Sequence, residues 1–139
     1  MKNKIYMGTD SGATTTKIAA VRGDGEPLGQ DVVQRPTESA AGRDGVIVGW
    51  IRAMDDYLAG HNLDWDEVGG VGLSIPGPYL SYGVMDRSAN FPVEFAGWNV
   101  HEEFARALAT RAGRALSLVV GNDGNFGGVA EAKLARAGR

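Results

Sequence analysis

The sequence predicts an α/β fold, and three observations predict it. Three strand-like segments open the chain, after which helix and strand alternate. The two later strands are each entered through a helix, a connection that places them parallel to a neighbour. Three apolar strands also stop at distinctive turns: Asp10, Pro76-Gly77 and Asn122-Asp123. Ligand sites in open α/β sheets gather at the carboxyl ends of strands, so these turns predict one shared site edge holding Asp10, Gly77 and Asp123.

Each element has a local reason. Residues 4–9, which hold the short apolar run Ile5 to Met7, read as the first strand, and Thr16 to Val21 reads as the second. Arg22-Gly23-Asp24-Gly25 is a turn signal. Leu28 to Gln34 reads as a third strand stopped before Pro36, so the first three strands form an antiparallel meander. Val46, Ile47, Trp50, Ile51, Met54, Tyr57 and Leu58 recur at helical spacing, predicting about four turns of helix ending near Gly60. Val68 to Ile75 is a fourth strand, closed by Pro76-Gly77-Pro78. Residues 79–98 show no clean period. Asn99 has the character of an N-cap, and Glu102 stands where a capping box places its acid. Val100, Phe104 and Leu108 share one face of the helix that follows. Leu116 to Val120 is a fifth strand, and residues 126–137 read as a last helix.

Size and charge narrow the function classes. The chain has 139 residues, about one domain, with 43% hydrophobic and 22% charged residues, which excludes a disordered polyelectrolyte. Its net charge of -3 offers no general attraction to nucleic acid or to an anionic membrane. It has no cysteine, so disulfide and thiolate chemistry are excluded. No apolar run is long enough to span a bilayer and no signal-peptide core precedes the first strand. The expectation is a cytoplasmic protein without nucleic-acid or membrane partners.

The stretch GTDSGATTTK, residues 8–17, carries the first candidate chemistry. Gly12 permits positive φ, which turns backbone N–H groups toward an anion. Thr14, Thr15 and Thr16 add hydroxyl donors, and Asp10 suits a hydrated divalent cation beside a phosphate. The competing reading is a tight hairpin whose aspartate caps its own turn. The Walker phosphate-loop signature is absent. Alternation places Lys17 on the solvent side of a strand.

Pro76-Gly77-Pro78 is either a plain strand terminator or a rigid wall bringing the Gly77 backbone close to a ligand. Asp123 either caps the following helix or acts as a general base toward a sugar hydroxyl, with Asn122 fixing neighbouring hydroxyls. His61 and His101 read as surface residues without a third metal partner. Trp50 reads as core. Trp65 and Trp98 read as packing or partly exposed residues. Ser39, Ser74 and Ser81 lack the histidine–acid framework of a nucleophile.

In order along the chain, GTDSGATTTKIAAV, GDGEPLG, GVGLSIPGP, ANFPVEFAGWN and GNDGNFGGVAEA resemble the successive motifs of the ROK family (repressors, open reading frames, kinases). That family lies within the sugar kinase, Hsp70 and actin superfamily. The resemblance covers nearly the whole chain and corresponds to the family's N-terminal lobe. It implies a ribonuclease-H-like, actin-like ATPase lobe with a five-stranded mixed sheet and helices on its faces. It also implies ATP- and Mg2+-dependent phosphorylation of a hexose or related sugar. By the same likeness, Asp10 would organise magnesium and phosphate, and Gly12 and Thr14 would line the phosphate turn. Asn90 and Asn122 would contact the sugar, and Asp123 would deprotonate the accepting hydroxyl.

Two departures from the family pattern bear on function. The phosphate turn of the family reads Gly-Gly-Thr, whereas this chain has Gly12-Ala13-Thr14, and a Cβ at Ala13 crowds a close backbone approach. The motifs of the family's second lobe do not occur in residues 1–139. The expected partners are therefore sugar, ATP and a C-terminal lobe in cis or trans, with a homo-oligomer left open. The isolated chain is expected to be inactive. The alternatives are the ligand-sensing lobe of a ROK-type repressor and a noncatalytic interaction module. Only MKNK stands before the first strand, which disfavours the repressor and its preceding helix-turn-helix.

Overall fold

A computed structural model of the chain describes residues 4–23, 32–76, 78–87 and 91–121. Its centre is a five-stranded mixed sheet. Strands β1 (Ile5–Ser11), β2 (Thr15–Arg22) and β3 (Val33–Pro36) form the antiparallel meander. Helix α1 (Gly42–Gly60) leads to β4 (Val68–Ser74), a small hairpin of β5 (Tyr79–Ser81) and β6 (Val84–Met85) follows, and helix α2 (Val100–Ala112) leads to β7 (Ser117–Gly121). The strand order is β3-β2-β1-β4-β7, with β4 parallel to β1 and β7 parallel to β4. The expected meander and the parallel crossovers are both present.

Strand periodicity separates the two faces of the sheet. Met7, Val71 and Leu118 are register partners and all are buried on one face. Helix α1 packs on that face, because the Trp50 indole bonds to Ser11, which follows Met7 at even spacing. The other face carries Gly8 and Gly72 at the adjacent register position.

The predicted helical face of α1 is the packed one. Val46, Ile47, Trp50, Met54, Tyr57 and Leu58 are buried, Ala53 joins them, and Ile51 is partly buried against the same core. Trp50 stacks on Trp98 with ring centroids 5.9 Å apart and meets Phe104 at 4.9 Å. Val100, Phe104 and Leu108 are all fully buried, as their spacing requires. Trp65 and Trp98 resolve to core positions, at 7% and 0% exposure.

Several local expectations are corrected. The third strand does not stop before Pro36: Pro36 is its last residue and pairs with Thr15. A proline is tolerated there because β3 is an edge strand; residues 28–31 of the expected strand lie outside the described residues. Asn99 does cap α2, its Oδ1 accepting from the Glu102 N–H at 3.1 Å. Glu102, however, bonds the Asn99 side-chain amide at 3.2 Å rather than the Asn99 backbone, so the capping box is incomplete. A full capping box instead opens the short 3-10 turn Trp65–Glu67, between Asp64 and Glu67. Helix α1 ends at Gly60, but the positive φ after it, 56°, falls on Asn62.

The histidines are not simple surface residues. His61 stacks on Tyr57, and His101 bonds the Leu118 carbonyl at 3.1 Å. His101 also lies under Gly83, where a Cβ would come within 2.4 Å of the His101 Cβ; the φ of 73° at Gly83 independently favours glycine. The expected helix at 126–137 lies outside the described residues. No helix among the described residues is long and apolar enough to cross a membrane.

Candidate functional site

The carboxyl ends of β1, β4 and β7 line up at one sheet edge, where Asp10 pairs with Ser74 and Ser74 with Gly121. The Ile75 N–H extends this line by donating to the Gly121 carbonyl at 3.0 Å. The Tyr79 hydroxyl, from the hairpin, donates toward that same carbonyl at 2.9 Å and toward Ile75. Burial pushes the Tyr79 phenol up to about 12, so it stays protonated and able to donate. The edge that precedes Pro76-Gly77 and Asn122-Asp123 is thereby stapled from outside the sheet.

Beside this edge lies a cleft of about 370 Å³, lined by Gly12, Ala13, Thr14, Thr15 and Pro76. Two of the predicted phosphate-turn residues, Gly12 and Thr14, therefore face a common cavity with Pro76. The turn that forms its floor is polarised. The carbonyl of Gly12 accepts from Thr37 Oγ1 at 2.7 Å, that of Ala13 from Ser39 Oγ at 3.2 Å, and that of Thr14 from the Thr37 N–H at 2.9 Å. The Gly12 N–H is spent on the Thr15 carbonyl at 2.9 Å. The N–H groups of Ala13 and Thr14 bond to no described residue. A turn whose carbonyls are tied back and whose N–H groups stay open is suited to an anion.

Two details of the turn depart from the sequence reading. Gly12 is not at positive φ, and a Cβ there would meet the Thr15 carbonyl at an ordinary 3.7 Å. Ala13 is not at positive φ either, so its methyl brings no backbone strain. Thr16, expected among the hydroxyl donors of the turn, is buried and bonds Ser11 and Thr37 at 3.0 and 2.8 Å. Strand alternation turns it into the interior, on the side opposite Lys17.

Asp10 lies half-buried at the end of β1, directly across from exposed Lys17. Desolvation raises the Asp10 carboxyl above its ordinary value, and the Lys17 charge partly offsets this. A partly desolvated carboxylate gains from a cation, and Mg2+ is commonly held by one or two carboxylates together with substrate phosphates and water. Asp10 fits that donor set. Among the described residues no group of three His, Asp or Glu side chains converges. Gly77, Asn90, Asn122 and Asp123 lie outside the described residues.

The same architecture occurs in known proteins. A glucokinase of Halalkalibacterium halodurans is 28% identical over 131 residues, 94% of this chain and 37% of that protein. The structure of a ROK family glucokinase from Streptomyces griseus, in complex with glucose and AMPPNP, matches 87% of this chain with a TM-score of 0.60 and 20% identity. This is the fold of the ROK-family sugar kinases. A ROK family transcriptional regulator, a homologue of the E. coli MLC protein, shares it over 86% of this chain, with a TM-score of 0.61 and 17% identity. No protein-family model matches the chain. The chain spans 37% of the glucokinase, 34% of the S. griseus structure and 28% of the regulator.

Within this ROK fold, sequence reasoning missed the residues that hold the turn from behind. Thr37 and Ser39 are far along the chain from the carbonyls they bind, Thr37 reaching Gly12 across 25 residues and Ser39 reaching Ala13 across 26. The one available signal was the small polar pair flanking Glu38 after a predicted strand, with Thr37 next to Pro36. Tyr79 was hidden in a segment with no periodicity.

Proposed function

We propose that residues 1–139 are the first lobe of an ATP-dependent ROK sugar kinase that transfers the γ-phosphoryl group to a hexose hydroxyl. The carrying observation is the polarised turn at a cleft beside the carboxyl edge of the sheet: three carbonyls tied back and two N–H groups that bond to no described residue. Glucose and a nucleotide analogue in the S. griseus relative support the ligand classes.

In this reading Gly12 and Thr14 line the phosphate site, where the Ala13 and Thr14 N–H groups donate to phosphate oxygens. Asp10 holds hydrated Mg2+, which supplies neutralisation of phosphate charge when bound. Gly77 walls the site, and Asn90 and Asn122 orient the sugar through amide donors and acceptors. Asp123 accepts the proton of the attacking hydroxyl; the sugar oxygen bonds to the γ-phosphorus as the bond to the ADP oxygen breaks. A second lobe completes the nucleotide and sugar contacts, and its closure excludes water.

The test is sugar-dependent ADP release from the chain alone and from the chain joined to a second ROK lobe. Turnover only in the joined protein is the expected result. Strong turnover by the monomeric chain would refute the need for a second lobe. Sugar binding without ADP release in the joined protein would instead point to the sensing role found in ROK regulators.

A further inference from the structure

A line of side-chain hydroxyls runs behind the turn, and its direction follows from counting hydrogens. Thr37 Oγ1 has one hydrogen, which it gives to the Gly12 carbonyl at 2.7 Å. Its contact with Thr16 Oγ1 at 2.8 Å must then be donated by Thr16. With that hydrogen used, the 3.0 Å contact between Thr16 and Ser11 must be donated by Ser11. Ser11 in turn accepts from the Trp50 indole N–H at 3.0 Å. The alternative for Ser11, a 3.4 Å contact to the Gly12 carbonyl, is long for such a bond. Every link therefore points the same way, from Trp50 through Ser11, Thr16 and Thr37 to Gly12. Ser11, Thr16 and Thr37 are 0%, 2% and 4% exposed, and aligned bonds in so dry a place strengthen one another.

A second observation concerns the residue between the two hydroxyls that seize the turn. Glu38 has φ 56° and ψ 49°, a left-handed conformation uncommon for a residue with a side chain. This backbone reversal lets Thr37 and Ser39 both reach turn carbonyls, of Gly12 and Ala13. Backbone strain of this kind persists where the surroundings over-determine it.

We infer that Thr37 is a positioning residue of the phosphate turn, anchoring the Gly12 carbonyl at the end of a one-way hydroxyl chain so that the Ala13 and Thr14 N–H groups are preset for anion binding. The inference rests on the phosphate reading of the turn. It assigns no contact between Thr37 and the nucleotide: Thr37 acts through Gly12, and through its own N–H on Thr14.

The experiment uses the 139-residue chain, 15N-labelled, titrated with Mg-ATP, in wild type, Thr37→Val and Thr37→Ser. Valine has nearly the shape of threonine without the hydroxyl; serine keeps the hydroxyl. Loss of one bond to a part-buried carbonyl corresponds to roughly ten-fold weakening of ATP binding in Thr37→Val, with Thr37→Ser close to wild type. In the ligand-free chain, Thr37→Val should also move the Trp50 indole N–H resonance and the Gly12 amide, because Thr16 loses its acceptor and the Gly12 carbonyl its donor, which shifts the links behind them; Thr37→Ser should leave both near their original positions. Wild-type affinity in Thr37→Val with the Trp50 and Gly12 resonances unmoved would overturn the inference. If wild type binds no ATP, the turn is not preset for an anion in this chain by itself and the inference is overturned, while the phosphate reading of the turn is judged separately by ADP release from the joined protein. The two ligand-free resonances would then report only whether the hydroxyl chain exists.

Discussion

Asp10 and Lys17 face each other as direct partners across β1 and β2, and the lysine only partly relieves the cost of burying the carboxylate. The folded-state pKa of Asp10 therefore lies above its unfolded value of 3.8. The native state holds this proton to higher pH than the unfolded chain does, so stability is greatest below the unfolded pKa and is lost as pH rises through the folded one. Asp10→Asn should flatten this part of the stability profile and raise the neutral-pH melting temperature. Lys17→Met should lower it. Thermal unfolding across the acid-to-neutral range checks both, and parallel profiles for wild type and Asp10→Asn would show that Asp10 carries no such cost. Added Mg2+ with ATP should raise the melting temperature of wild type more than that of Asp10→Asn.

Glu38 occupies a left-handed conformation that costs an L-residue about 1–2 kcal/mol. Glycine removes that cost but adds unfolded-state entropy, so Glu38→Gly should stabilise by up to about 1 kcal/mol. Glu38→Val, β-branched at positive φ, should destabilise. Denaturant midpoints for the pair decide it; a valine variant as stable as the glycine one would show that this backbone conformation is not retained in solution.

Leu108 is fully buried on α2, on the face it shares with Phe104. Leu108→Ala should cost about 2–5 kcal/mol by lost transfer energy and cavity formation. A loss below about 0.5 kcal/mol would mean that the site collapses around the smaller side chain or that the helix face is wrong.

Asp123→Asn tests the proposed base in a two-lobed protein. Asparagine keeps the shape and the helix-capping ability of aspartate but cannot take the proton, so turnover should fall roughly 10²- to 10⁴-fold with folding retained. Sugar-dependent ADP release, sugar affinity and thermal unfolding on the same preparations provide the readout. Near-normal turnover in a folded variant removes Asp123 from catalysis, whereas lost stability assigns it to capping or packing. Asn122→Ala should weaken sugar binding more than it slows the chemical step.

What the sequence determined by itself is what local chemistry decides. Strands β1 and β4 were readable as apolar runs closed by turn residues, and α1 because the 3.6-residue repeat reports which side chains face the core. The Asn99 cap was readable because donor and acceptor lie three residues apart. The parallel crossovers followed from helices placed between strands, and the convergence of Asp10 and Pro76 at one edge followed from that topology.

Tertiary structure decided the rest, since it depends on residues that meet only after folding. Pro36 stays within a strand because β3 lies at the sheet edge, a position that no local rule reveals. Thr16 looked equivalent to Thr14 in the sequence, yet strand register turns it inward onto Ser11 and Thr37. The polarity of the turn is set by Thr37 and Ser39, 25 and 26 residues away from the carbonyls they bind. A carbonyl partly withdrawn from water must find a donor wherever the fold supplies one, and here the fold supplies it from a distant strand end held in a left-handed turn.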